Sequence, residues 1–171
     1  MKLDVAQSWF SDGFAQDTMR GFIVASSSAN SGGDLDGSTF SSAKAPYNMA
    51  MHGELRGLDR EQRLVYHERV VCLFLTDHQL IVTSVRGQFK VKPNEVLHTI
   101  DRAGLRCEWF DYQAAGNHTR NFVIRIPDDT WLAVGTGTKI LGKENKMAAV
   151  AENFTEQLGA TEIDWRNPPP L

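Results

Sequence analysis

Short apolar runs alternate with polar turns along the chain from about residue 63. Seven runs of four to six residues follow one another, at positions 70–75, 80–85, 89–92, 96–100, 105–109, 122–126 and 130–134. Turn residues such as Pro127, Asp128 and Asp129 stand between them. Runs of this length with short polar breaks are typical of strands joined by tight turns. The pattern therefore predicts seven antiparallel strands.

After Gly135 the repeat of the apolar positions changes from that of a strand to that of a helix. Five apolar side chains then share one stripe, at Met147, Val150, Ala151, Phe154 and Leu158. Positions three, four, seven and eleven residues apart lie on the same face of a helix. Gly159 follows the last of them, and glycine commonly ends a helix. The pattern predicts an amphipathic C-terminal helix over residues 146–158.

The first 25 residues carry many apolar side chains at roughly helical spacing. These are Val5, Trp9, Phe10, Phe14, Met19, Phe22 and Ile23. The spacing predicts an N-terminal helical arm over residues 1–25, with Gly13 and Gly21 as weak points. By composition, the rest divides into a Ser/Gly-rich linker or loop (26–45), a connecting segment (46–62), the strands with their helix (63–160) and a Pro-rich tail (161–171).

Composition and charge exclude several classes of protein. The chain has 171 residues, 42% of them hydrophobic, and its 18 basic and 21 acidic side chains give a net charge of −3. This balance suits one domain with a sizeable core and does not fit a strongly basic nucleic-acid-binding protein. No run approaches the roughly 20 apolar residues of a membrane span, and the N-terminus lacks the apolar stretch of a secretion signal. With only two cysteines, the chain is predicted to be cytoplasmic and to have no disulfide framework.

The order of seven strands and then one helix requires a closed or nearly closed sheet, with the helix plugging its open end. This order resembles the bacterial pleckstrin-homology (PH-like) domain family. The first predicted hairpin adds a local match, a hydrophobic-Thr-Asp-x-x-Leu pattern at Leu75, Thr76, Asp77 and Leu80. The resemblance covers about residues 63–159. It implies an α+β fold, mainly antiparallel β, in which a PH-like seven-stranded partly open barrel is capped by the C-terminal amphipathic helix, with the N-terminal helical arm in addition.

The resemblance also implies a binding module rather than an enzyme, and many bacterial members are thought to assemble into rings. Members that bind phosphoinositides carry Lys and Arg in and beside the first hairpin. Here that turn, residues 76–79, contains Asp77 and neither Lys nor Arg. This departure argues against recognition of inositol phosphates.

Local motifs for catalysis or cofactor binding are weak. Residues 137–143 fit the G-x-x-x-x-G-K part of a phosphate-binding loop, but Glu144 stands where such a loop places a Ser or Thr that binds Mg²⁺. The five histidines lack metal-ligand spacing, and Cys72 and Cys107 occupy apolar-facing positions of strands. We therefore predict no catalytic residues, no metal and no cofactor.

Basic side chains cluster on the second predicted hairpin, at Arg86, Lys90 and Lys92. The two lysines share one face because alternate residues of a strand point the same way. With Lys139 and Lys143, they are the candidate contacts for an anion, and the alternative is a solvated strand face. A patch of this size would make only a weak contact with an anionic membrane.

The aromatic side chains of the arm are the candidate partner-binding residues. Trp9, Phe10, Phe14 and Phe22 are too many large apolar groups to remain in water. They pack on the chain's own barrel, or they dock on another copy or on a partner protein. The sequence thus predicts a non-catalytic module for protein–protein interaction or self-association (a homo-oligomer), through the arm and an exposed strand edge. The alternative is a domain that binds a lipid or small ligand, peripheral to an anionic membrane.

Overall fold

A computed structural model describes residues 1–27, 50, 53–87, 91–114, 117–140, 143–144 and 146–167. The helices are α1 (Leu3–Gly13) and α2 (Met147–Leu158), and two 3-10 turns span Glu54–Arg56 and Arg60–Gln62. The strands are β1 (Gly21–Ser26), β2 (Val70–Leu75), β3 (Gln79–Arg86), β4 (Lys92–Asp101), β5 (Arg106–Ala114), β6 (Asn117–Arg125), β7 (Trp131–Ile140), β8 (Lys143–Glu144) and β9 (Thr161–Glu162). The fold is α+β with a mainly antiparallel sheet, as the sequence predicts.

Most of the predicted strands are confirmed. The runs at 70–75, 80–85, 105–109, 122–126 and 130–134 correspond to β2, β3, β5, β6 and β7. The runs at 89–92 and 96–100 are not two strands, because β4 is continuous from Lys92 to Asp101; residues 88–90 lie outside the described part of the chain. Pro93 does not interrupt β4, since β4 pairs only with β3 among the described strands and an edge strand tolerates a missing N–H group.

The helical arm predicted over residues 1–25 is wrong beyond Gly13. The chain leaves α1 there and forms β1, which pairs with β2 over six residues, from Gly21 opposite Leu75 to Ser26 opposite Val70. Both faces of β1 are covered, so its apolar residues are consecutive and do not alternate with polar ones. A short run of this kind fits a helix as well as a strand until its pairing partner is known. The predicted linker at 26–45 falls largely outside the described residues.

The expected barrel does not close among the described strands. They follow the order β4-β3-β2-β1-β7-β6-β5-β9, with β8 paired to β7 alone. A single residue pair, Ser26 opposite Gly135, joins β1 to β7. The described strands therefore form two halves, β1–β4 and β5–β7 with the short β8 and β9, that meet at this narrow contact and end in separate edges.

One core lies between the inner faces of the two halves. It contains buried side chains from β1 to β7 and from α2, including Leu73, Leu80, Cys107, Ile124 and Phe154. The outer face of β1–β3 is covered by α1. The outer face of β5–β7 is covered by the connecting segment, through Leu55 and Leu58, and by the C-terminal tail, through Ile163 and Trp165. Covering both outer faces explains why so many strand residues are apolar.

The predicted C-terminal helix is confirmed as α2. Phe154 is fully buried and meets Phe122 edge to face, with ring centroids 5.6 Å apart. Gly159 ends α2 in the left-handed conformation, at φ 67°. The helix packs against β1, β2 and β7, so it covers the line along which the two halves of the sheet meet. None of the described helices is long and apolar enough to cross a membrane.

Candidate functional site: the α1 cleft

Helix α1 is held on the sheet by its aromatic side chains. Phe10 is 3% exposed, and its ring lies 5.7 Å from that of Phe74 on β2. Trp9 stacks on the same ring, with centroids 5.2 Å apart and planes 19° from parallel. Because Phe74 is itself fully buried, these contacts fix the position of α1 relative to the strands.

The α1 cleft lies between this helix and the end of the β3–β4 hairpin. It encloses about 390 Å³ and is lined chiefly by Asp4, Ser8, Trp9 and Asp12 of α1 and by Arg86 and Lys92 of the hairpin. Arg86 and Lys92 are directly opposite each other in the β3–β4 register. Gly87 follows Arg86 with φ 91°, a conformation that favours glycine, and there the chain leaves β3.

The two walls of the α1 cleft carry opposite charges. Asp4 and Asp12 are on the helix wall, with Ser8 midway between them, and residues four apart lie on one helix face. Arg86 and Lys92 are on the strand wall, and all four charged side chains are exposed. Within the described residues, none of the four forms an ion pair. The cleft therefore presents separated positive and negative groups to solvent.

Strand β4 borders the cleft and forms an edge of the sheet. It runs for ten residues, and its N-terminal residues Lys92 and Pro93 line the cleft. In the part of the chain that the structure describes, no strand pairs with the side of β4 that faces away from β3. Val96, midway along β4, is 46% exposed. An edge strand of this kind presents free backbone N–H and C=O groups.

The predicted partner-binding aromatics fall into two groups. Phe10 and Phe22 are 3% and 1% exposed, so another molecule reaches them only if α1 leaves the sheet. Trp9 and Phe14 are half-buried, and Trp9 lines the α1 cleft. The arm thus packs on its own sheet, one of the two alternatives open from the sequence. Partner binding through Trp9 and Phe14 stays a prediction.

The predicted anion contacts are brought together only in part. Arg86 and Lys92 share the α1 cleft, and Lys90 lies outside the described residues. Lys139 and Lys143 belong to the β7–β8 hairpin, where Lys139 is opposite Glu144. The described residues of the segment that resembles a phosphate-binding loop, 137–140 and 143, therefore belong to the paired strands β7 and β8. Neither lysine belongs to the described lining of the cleft.

Sequence reasoning missed the acidic wall. Asp4 and Asp12 are eight residues apart, a spacing that places both on one face of a helix. No signal in the sequence shows that this face would lie opposite Arg86 and Lys92, because that depends on how α1 docks.

A buried ion pair on the other half of the sheet was also missed. Arg56 donates to the Glu108 carboxylate at 2.7 Å, with side chains 4% and 11% exposed. Arg125 lies 3.8 Å from the same oxygen, Oε1. Arg56 and Glu108 are enclosed by protein and tie the connecting segment to β5, so we assign this ion pair to structure.

A second cluster ties α2 to the sheet. Arg120 on β6 donates twice to Asp111 at 3.0 Å and once to Glu152 of α2 at 2.6 Å, and it lies 3.9 Å above the Trp109 ring. Burial alone would lower the pKa of Arg120, but its hydrogen bonds to the two carboxylates raise it. The cation is therefore fully compensated and is not available to a ligand.

The two thiols are buried and unreactive in the folded state. Burial raises the pKa of both Cys72 and Cys107, and a protonated thiol is a poor nucleophile. Among the described residues, no group of three His, Cys, Asp or Glu side chains is arranged to hold a metal ion.

Comparison of the chain with protein-family models, with curated proteins and with solved structures finds no match.

Proposed function

We propose that this protein is a non-catalytic binding module that takes an extended segment of a partner protein along the β4 edge, beside the α1 cleft. The observation that carries the proposal is the position of β4. A ten-residue edge strand lies directly next to a cleft whose charged groups lack partners within the described residues. Addition of a strand to such an edge is a common way of recognising an extended peptide.

The backbone of β4 supplies enough bonding groups for this role. In a regular antiparallel sheet, alternate residues of an edge strand direct both their N–H and C=O groups outward. The ten residues of β4 therefore offer at most about five such residues, and fewer where its register with β3 shifts between Val82 and Val85. Pro93 removes one donor near the start of the strand. Exposed Val96 provides an apolar contact for a residue of the incoming strand.

We further propose that the fold is PH-like. Two observations support this: the order β4-β3-β2-β1-β7-β6-β5, and an amphipathic C-terminal helix that covers the line where the halves of the sheet meet. A PH-like fold would agree with a binding module, although one fold serves many functions.

Charge argues against a lipid headgroup as the ligand. The two cations of the cleft are matched by two carboxylates across it, so the cleft as a whole has no excess positive charge. The first hairpin also has no excess positive charge, because the carboxylate of Asp77 accepts two hydrogen bonds of 2.7 Å from Arg20. A surface that binds an anionic membrane needs a clear excess of Lys and Arg.

Self-association, the other arrangement predicted from the sequence, is disfavoured at this edge. Lys92, Pro93 and Glu95 lie in the first half of β4, and pairing of two identical edges would bring two such sets of charged residues and proline into one ladder. Self-association stays a prediction, which light scattering on the full chain over a range of concentrations would test.

Selection from a library of random displayed peptides tests the proposed function, because the library samples many segment sequences at once. The selected peptides would be synthesised and their dissociation constants measured by fluorescence anisotropy. Val96→Lys introduces a charge at the β4 edge, and Val65→Lys makes the same change at a valine that is 68% exposed outside the sheet.

We expect Val96→Lys to weaken binding by at least about tenfold, equivalent to about 1.4 kcal/mol, and Val65→Lys to have little effect. Bound peptide should also slow hydrogen exchange of β4 amides. Equal effects of the two substitutions, or protection confined to another element, would show that β4 is not the binding edge.

A further inference from the structure

We infer that the segment bound at β4 has mixed charge, with an acidic residue against Arg86 and Lys92 and a basic residue against the acidic wall of α1. This inference rests on the proposed function, since it concerns the chemistry of the same partner. It adds the sequence preference that the backbone of β4 alone would not provide.

The strand wall of the cleft fits a carboxylate. Arg86 and Lys92 face each other across the β3–β4 ladder, so their Cα atoms are about 5 Å apart. Two exposed cations on directly opposite residues of a ladder repel each other, and an anion bound by both relieves the repulsion. The guanidinium of Arg86 can bind a carboxylate with two hydrogen bonds, while Lys92 adds a third donor group.

The helix wall fits a cation. Asp4 and Asp12 are eight residues apart, which is about 12 Å along the axis of α1. The position between them is Ser8, so this stretch of the helix wall carries no basic side chain to neutralise either carboxylate. An extended chain covers about 13 Å in four residues, so a segment of this length that runs along α1 would place a basic residue within reach of a carboxylate.

Trp9 also favours a basic residue of the segment on the α1 side of the cleft. Its indole is half-buried, is fixed by stacking on Phe74 and lines the cleft from the α1 side. An aromatic surface in this place can hold the apolar stem of a long basic side chain or contact its cationic end.

A partner protein fits these walls better than a second copy of the chain. The edge of β4 brings its own Lys92, Pro93 and Glu95 to any pairing with itself, and such residues oppose edge-to-edge association. A partner whose charges complement the two walls of the cleft does not place like charges opposite each other. Such a charge pattern confers specificity on an interface.

The test is a charge exchange between protein and peptide. Peptides are selected on the wild-type chain and, separately, on the double variant Arg86→Glu/Lys92→Glu. The matched control is Arg106→Glu/Lys146→Glu, which reverses two exposed basic residues outside the cleft lining and changes the net charge equally. Each selected peptide is then also made with its acidic residue replaced by lysine, and all affinities are measured at one salt concentration.

We expect wild-type selections to contain an acidic and a basic residue within one short segment. Arg86→Glu/Lys92→Glu should weaken their binding by about tenfold or more, and the Lys-substituted peptide should recover most of that loss on this variant only. If binding responds to Val96→Lys but the two double variants behave alike, the mixed-charge inference is wrong and edge binding stands. If Val96→Lys behaves like Val65→Lys, the proposed function itself fails.

Discussion

Replacing Phe10 by alanine tests directly whether α1 belongs to the folded core or is a free arm. The side chain is 3% exposed, and full burial of a phenylalanine contributes about 1.5–3 kcal/mol. Its ring also pairs with those of Phe14 at 5.2 Å and Phe74 at 5.7 Å, each pair adding about 0.5–1.5 kcal/mol. The sum agrees with the 3–5 kcal/mol typical of Phe→Ala in a core. Because α1 lies at the surface and can relax, we expect a loss near the lower end, about 3 kcal/mol.

Urea unfolding, followed by circular dichroism and by tryptophan fluorescence, would measure this loss. The matched control is Leu3→Ala on the same helix, whose side chain is 53% exposed and should change the free energy of unfolding by less than about 0.5 kcal/mol. If the m-value also falls, α1 has detached before the rest of the chain unfolds. A Phe10→Ala protein as stable as the Leu3→Ala control would refute the packing of α1 on its own sheet.

Two further predictions concern charged residues that hold the fold together. Glu108→Leu removes the carboxylate to which the buried Arg56 donates, so we expect urea unfolding to show a loss of about 3 kcal/mol. A loss below about 1 kcal/mol would contradict the buried pair. The hydrogen bonds from Arg20 hold the pKa of Asp77 below its usual value, so this pair adds stability above about pH 4 that is lost as the pH falls through the lowered pKa. The free energy of unfolding of Asp77→Asn, measured in urea at several acid pH values, should therefore change less with pH than that of the wild type. The same pH dependence in both proteins would exclude a contribution of the Arg20–Asp77 pair.

The second half of the sheet and the C-terminal helix were predictable because their signals are local. Turn residues such as Asp128 and Asp129 delimit β6 and β7, and Gly159 marks the end of α2 where its apolar stripe ends. Each of these features depends on neighbours within a few residues, so the amino-acid order alone contains them.

The first strand could not be predicted in the same way. Phe22 and Ile23 point to opposite sides of β1, one into the cluster under α1 and the other into the central core. With both sides covered, the strand lacks the alternation that distinguishes it from a helix. Its partner β2 begins at Val70, 44 residues after β1 ends at Ser26.

The charged residues of the candidate site were also predictable only in part. The basic pair Arg86 and Lys92 is visible in the sequence as a cluster on one hairpin. Its acidic counterparts, Asp4 and Asp12, precede it by more than 70 residues, and only the docking of α1 over the first strands places the two charges across one cleft.

The sequence by itself therefore determined the elements whose repeat and termini are local, which are the β-rich body and the amphipathic α2. It also determined the net charge of −3, which does not fit a strongly basic nucleic-acid-binding protein. The tertiary structure alone decided which strand fills the centre of the sheet, that the described strands leave the sheet open with β4 at an edge, and that α1 covers the outer face of β1–β3. The physical reason is that pairing and docking are chosen by the apolar area and hydrogen bonds gained between distant segments. No short stretch of residues carries that information.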